Sequence, residues 1–315
     1  MNRLKALAPY IYPHSLNFKD KPFEAWKALG GETVRGWYPR LMHKVMFGMD
    51  VPTLWSGEAR LCFVQPVSLY FDTFFAALGH EVVPFVWDCW PQYFDMMEAW
   101  LKKHKVRTAI FTSRQEMEEI QSRCPDVKML WCPEAVDTSL YKEGKPLKER
   151  SIDLLEFGRS NEKVLGLASD SWDPRVPIHH VTTKVGDNFI YTDAQLYEAM
   201  GDAKVTICLP RSMTQPEVAG GIETLTQRYW EAMLSRMVIV GHCPKELEEI
   251  VGYNPVIELS GTGCEARGQI LDIINHINDY QPLVDKNREA ALHCGDWKQR
   301  MHGVMAWLRE CGYDV

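Results

Sequence analysis

The sequence predicts an α/β protein of two doubly wound domains in series, and three observations predict it. From Arg60 onward, apolar runs of strand length alternate with longer amphipathic segments, which is the pattern of βαβ units around a parallel sheet. The alternation restarts after a polar, lysine-rich stretch at 141–150 (YKEGKPLKER), whose composition suits a connection between domains. The length, 315 residues, is about twice that of a usual domain.

In the first half the spacing predicts strands over 61–65, 81–87, 108–112 and 127–132, with helices over 69–78, 92–104 and 114–123 between them. In the second half, strands are predicted over 152–157, 178–182, 205–209, 237–240 and 256–259. Helices are predicted over 193–200, 227–235 and 245–251, and a helical close over 264–280, 283–294 and 297–311. Asp193 suits a helix start and Gly201 a helix end. Residues 1–60 resist this reading, because Pro9, Pro13, Pro22, Gly30, Gly31, Pro39 and Pro52 interrupt each candidate element. The expected division is therefore 1–145 for an N-terminal domain and 146–295 for a C-terminal one, with 296–315 a helix that packs back on the first.

Composition narrows the function classes. A hydrophobic share of 46% with 24% charged residues provides for a real core and excludes a disordered chain. No apolar run approaches the roughly 20 residues of a membrane span. The first ten residues carry Arg3 and Lys5 without a long apolar stretch, so no secretory leader is read and a cytoplasmic location is expected. Nine scattered cysteines without a CxxC pair agree with reduced thiols. Lys and Arg exceed Asp and Glu by 20 to 18 over residues 1–150 and fall behind them by 15 to 24 over the rest. An anionic partner would accordingly meet the N-terminal part, where the first 60 residues hold nine basic and five acidic side chains, although ordinary surface scatter accounts for this equally well.

The stretch 205–240 carries the most chemistry. A strand there leads into a loop with Gly220 and Gly221, then a helix, then a second strand. Glycines ahead of a helix let the backbone approach a bound group, and the free N–H groups of a first turn favour phosphate. Glu223 and Glu231 stand eight residues apart, a spacing that has meaning only in this context.

The segment resembles the nucleotide-sugar site of the GT-B glycosyltransferases, in particular glycosyltransferase family 4 and its CgeB-type (spore-maturation-like) branch. The residues that carry the resemblance are the Glu-x7-Glu pair and the run Arg228-Tyr229-Trp230-Glu231-Ala232. Phe157-Gly158-Arg159, with Lys163 four residues on, is similar to the family's Gly-Arg…Lys element, and residues 133–137 (PEAVD) to the turn that ends its first domain. Family members commonly place the lysine one residue later, Ala135 stands where they have glycine, and Thr224-Leu225-Thr226 replaces their Gly-x-Gly. The resemblance implies two Rossmann-like domains facing across a cleft. It implies that Glu231 holds the ribose hydroxyls, Glu223 the transferred sugar, and Arg159 and Lys163 the diphosphate. Gly220, Gly221, Thr224 and Arg228 complete the donor-binding set. Transfer would be retaining, with a hexosyl or pentosyl nucleotide sugar as co-substrate and neither cofactor nor metal.

Asp88, in Val86-Trp87-Asp88-Cys89-Trp90-Pro91, ends a strand on the side where α/β sheets bind ligands, and is the second catalytic candidate beside Glu223. Trp87 and Trp90 either stack on a sugar or belong to the core, with Asp88 capping the next helix. His179-His180 has no third ligand at metal spacing, so no metal site is expected. The acceptor is open: a glycan, a lipid-linked sugar, a protein or a modified nucleic acid, with peripheral membrane contact allowed by the basic N-terminal part. Two other readings stay open, a nucleotide-sugar epimerase of the same fold and a binding module without turnover. A nicotinamide dehydrogenase is disfavoured because no G-x-G-x-x-G follows a predicted strand.

Overall fold

The computed structural model describes residues 2–10, 19–36, 46, 48–51, 57–159, 164, 178–181 and 192–315. The chain divides into two compact units, one of Met1–Glu134, Val218–Ile222 and Trp297–Val315, the other of Ala135–Glu217 and Glu223–Asp296.

The first unit is built on a parallel sheet. Its strands are β1 (Asn2–Leu7), β2 (Thr33–Val34), β3 (Glu58–Val64), β4 (Glu81–Val86), β5 (Thr108–Phe111), β6 (Lys128–Trp131) and β12 (Tyr313–Asp314). The order is β12-β1-β3-β4-β5-β6, with β2 also paired to β1. β3 and β4 are buried along nearly their whole length, as strands covered by helices on both faces must be. The crossover helices are α1 (Asp20–Ala28), α2 (Leu69–Ala77), α3 (Phe94–Lys103) and α4 (Arg114–Arg123). Ser113 caps α4 by accepting from the Glu116 N–H. The region 1–60, unreadable from sequence, thus supplies β1, β2, the first residues of β3 and the helix α1. β1 is only six residues long and α1 follows a stretch dense in turn formers, so neither shows a sustained period.

The second unit carries β7 (Ile152–Phe157), β8 (Ile178–Val181), β9 (Ala203–Cys208), β10 (Val238–Gly241) and β11 (Ile257–Glu258). All pairs are parallel, in the order β11-β10-β9-β7-β8. Around them lie α5 (Asp193–Asp202), the short α6 (Arg211–Thr214) and α7 (Pro216–Ala219), α8 (Gln227–Leu234), α9 (Lys245–Val251), α10 (Cys264–Asn275) and α11 (Gln281–Cys294). α12 (Trp297–Glu310) returns to the first unit. The cap of α5 is Thr192, not Asp193: Thr192 and Gln195 form a reciprocal capping box, and the helix continues through Gly201.

The lysine-rich stretch 141–150 is not a free connection. Leu147 is fully buried, Arg150 donates to the carbonyls of Ala203 at 2.6 Å and Lys145 at 2.8 Å, and the Lys145 N–H reaches the Gly201 carbonyl. Three anchors bind this polar segment to the second unit, where composition alone suggested a linker. Each unit has its own apolar core, in the first around Val64, Val86, Met97 and Phe111, in the second around Leu155, Trp230, Met233 and Ile239.

Candidate functional site

Open parallel sheets bind ligands beyond the carboxyl ends of their strands, and Arg159, Arg228 and His242 of the second unit stand at or beside such ends. β7 ends at Phe157, and Gly158 follows at φ +80°, where a Cβ would lie 3.0 Å from the Arg228 Cδ. A side chain at 158 would be strained and would push Arg228 aside. Arg228, in the first turn of α8, directs its guanidinium at two strand-end carbonyls, those of Phe157 and Leu209, each at 3.4 Å. Part of its donor capacity is therefore spent on the scaffold. Arg159 comes next in the chain, half-buried and close enough to Tyr229 for its charge to act on that phenol.

Glu231 lies one turn after Arg228 on the same helix, half-buried. Its Oε1 accepts a hydrogen bond from the Tyr141 hydroxyl at 2.9 Å, and Tyr141 packs edge-on against Tyr197 at 5.1 Å. Burial raises the Glu231 pKa above the usual carboxylate value, while the Tyr141 hydroxyl and the Arg228 charge oppose this without cancelling it. The same burial, with the charge of Glu231 beside it, pushes the Tyr141 pKa far up, so Tyr141 stays a donor.

The third strand end is β10. Gly241 has φ +152°, and a Cβ there would fall 1.9 Å from the Cys208 carbonyl oxygen. Next to it, the His242 N–H donates to that carbonyl at 3.1 Å, and its own carbonyl accepts from the buried Tyr229 hydroxyl at 2.7 Å. The His242 ring places Nε2 3.0 Å from Glu223 Oε1 and Nδ1 3.0 Å from Glu258 Oε2. The loop that carries Glu223 and Thr224 is pinned just after them, where the buried Leu225 gives its N–H to Glu246.

The structure thus sets Glu231 beside Arg228 and Arg159 beside Tyr229, which also feels the Arg228 charge, and joins Glu223 to Tyr229 through His242. Gly220 and Gly221 do not open α8. Residues 222–226 intervene, Gly220 (φ +57°) follows the end of α7, and both glycines belong to the first unit. Asp88 is also in the first unit, just past β4 at φ +56°, a costly conformation for a residue with a side chain, and it accepts from Gln65 Nε2 at 2.8 Å. Asp88 caps no helix. Trp87 and Trp90 are buried, and Trp87 stacks on Phe85 at 4.4 Å, so the sugar-stacking alternative gives way to the core one. Lys163 lies outside the described residues, as do the side chains of His179 and His180. Among the described residues no group of three or more His, Cys, Asp or Glu is placed to hold a metal ion. Tyr141 and His242 escaped sequence reasoning. The position of His242, directly after a strand that ends beside the candidate loop, was the available signal.

No protein-family model and no curated protein matches the chain. Its two Rossmann-like α/β units define the GT-B fold of the glycosyltransferases. Solved structures that share it include HepE of Anabaena in complex with UDP-glucose, with a TM-score of 0.64 and 12% identity over 98% of this chain and 99% of that one. Sucrose-phosphate synthase of Thermosynechococcus elongatus follows at 0.63 and 12%, over 98% and 99% of the two chains. The α,α-trehalose 6-phosphate synthase of Burkholderia multivorans has a TM-score of 0.58 and 11% identity, over 99% and 97%. At such identities the likeness is one of fold.

Proposed function

We propose that the protein is a glycosyltransferase that moves a hexosyl or pentosyl group from a nucleotide sugar to an acceptor hydroxyl, with retention and without a metal. The observation that carries this reading is the placing of Arg159 and Arg228 beside the carboxyl ends of β7 and β9, with Glu231 one helix turn on from Arg228, in a fold shared with HepE, which has been solved with UDP and with UDP-glucose. The Glu-x7-Glu pair and Gly158-Arg159 support a further reading, that the chain is related to family 4 and its CgeB-type branch.

In this mechanism Glu231 accepts hydrogen bonds from the ribose hydroxyls, backed by Tyr141, and Arg159 with Lys163 neutralises the diphosphate. Glu223 orients the sugar, with Thr224 beside it and Gly220 and Gly221 offering backbone N–H groups. As the bond from the anomeric carbon to the diphosphate oxygen breaks, the carbon gains oxocarbenium character and the fixed positive charge stabilises the leaving group. The acceptor oxygen bonds to the same face, and its proton passes to the departing diphosphate. Asp88, held by Gln65 in its strained conformation, contacts the acceptor side. Nine unbridged cysteines support a cytoplasmic setting for this chemistry.

A thermal-shift panel of UDP-, GDP-, TDP- and CMP-sugars tests the reading, since a ligand that binds the native state raises its stability. One class is expected to raise the melting temperature, with the shift lost in Arg159→Ala. Absence of any shift at millimolar concentration refutes it. Conversion of the donor without an acceptor product would point to an epimerase.

A further inference from the structure

We propose that His242 is the positioning residue for Glu223, locking its carboxylate toward the transferred sugar through a Glu258–His242–Glu223 bridge. This rests on the glycosyltransferase reading above and names a residue that the sequence resemblance does not.

The bridge is anchored at one end. Glu258 is the register partner of Gly241 across the β10–β11 pair. Its Oε1 accepts from the Cys243 N–H at 2.9 Å and from Asn254 at 3.3 Å, while Oε2 faces His242 Nδ1. The His242 backbone is fixed on both sides, by the Cys208 carbonyl and by the Tyr229 hydroxyl. With the backbone and Nδ1 both held, the direction of Nε2 is settled, and it meets Glu223 Oε1 at 3.0 Å. Glu223 itself stands in an irregular segment between α7 and α8, without a helix or strand to aim it. The rigid partner therefore aims the loop residue, as outer hydrogen bonds commonly hold a working side chain in place.

The chemistry of the ring agrees. A carboxylate oxygen accepts, and a ring nitrogen that carries a proton donates to the carboxylate it faces, so the ring links the two acidic side chains through its two nitrogens. The groups that face this region are Glu223 from the loop, Glu258 from β11 and, around the adjacent Cys243, Glu248 from α9.

The test compares each nucleotide sugar of the panel with its free nucleoside diphosphate, by calorimetric titration of the full-length protein and of His242→Ala, His242→Gln and Glu258→Gln. The readout is the ratio of the two Kd values, the sugar's share of affinity. In His242→Ala this ratio is expected to fall about tenfold while diphosphate affinity changes less than about twofold, because one charged hydrogen-bond network is lost. His242→Gln, which keeps a donor toward Glu223, recovers part of it, and Glu258→Gln shifts it in the same direction as His242→Ala. An unchanged ratio, or equal losses for sugar and diphosphate, overturns the proposal while leaving the glycosyltransferase reading intact. Failure of the unaltered protein to bind any member refutes both. Should His242→Ala not fold, the Gln variants carry the same comparison.

Discussion

Glu231 is a residue whose burial works against the stability of the chain. Its carboxyl has a pKa raised above the ordinary value chiefly by burial, despite the Tyr141 hydrogen bond and the Arg228 charge. For such an acid the folded state binds the proton more tightly than the unfolded one. Protonation on acidification therefore stabilises the fold, and ionisation of the group costs stability. A carboxyl whose ionisation the fold opposes fits a role in ligand binding. Glu231→Gln retains an oxygen for Tyr141 and removes the charge. Its melting temperature at pH 7 is expected to equal or exceed that of the unaltered protein, while nucleotide-sugar affinity falls about tenfold through the loss of charge-assisted bonds to the ribose. Differential scanning fluorimetry and titration calorimetry read the two effects separately, and a drop in melting temperature with unchanged affinity would make Glu231 a structural residue. The sequence motif located Glu231 and Arg228 because they share one helix turn. Tyr141 is 90 positions from Glu231, and no local pattern reports a bond that only the tertiary fold creates.

Among the elements, the amino ends of the first sheet are tied by one buried carboxylate. Glu81 opens β4 and accepts from Arg107 at 2.8 and 2.5 Å, from the Tyr313 hydroxyl of β12 at 2.5 Å and from Asn2 of β1 at 3.1 Å. Burial works to raise its pKa, but these donors outweigh burial and the net shift is downward. A carboxylate with a lowered folded pKa contributes stability that is fully present above its unfolded value near 4.5 and is lost as pH falls through the folded value. Glu81→Gln is expected to cost about 1–3 kcal/mol at pH 7, with Arg107 half-exposed and so partly rehydrated. It should also flatten the acid limb of a urea-midpoint-versus-pH curve. A parallel curve with the same acid slope would remove Glu81 from that role. The strands joined here differ in how far the sequence disclosed them. β4 is a run of buried residues between turn signals and reads directly as a strand, whereas β12 is two residues long and β1 six, each owing its place to pairing with distant chain. Helices with an apolar stripe and a stop signal, such as α4 and α11, were legible almost to their ends. The polar segment 141–150 misled because three anchoring residues outweigh its composition.

On the scale of the molecule, the chain passes between the units after Glu134, Glu217, Ile222 and Asp296, so the first unit is completed by residues 297–315, more than 160 positions along the chain from the rest of its sheet. Its core depends on them. Trp297 is 1% exposed and meets Phe85 edge-on at 6.3 Å and Trp87 at 6.2 Å, while α12 packs on α1. Truncation of such a tryptophan leaves a cavity and costs about 3–5 kcal/mol, a large fraction of a domain's stability. The residues proposed to hold the nucleotide through Arg159 and Glu231, and the core beneath them, belong to the other unit. Trp297→Ala is therefore expected to split calorimetric unfolding into two transitions, the lower one from the first unit, whereas a bound nucleotide sugar raises the upper one. At a ligand concentration of 100 Kd the gain is about 2.7 kcal/mol. If the variant instead unfolds in one transition that the ligand shifts as a whole, the two cores are coupled into a single cooperative unit, and the repeated crossings of the chain are what couple them.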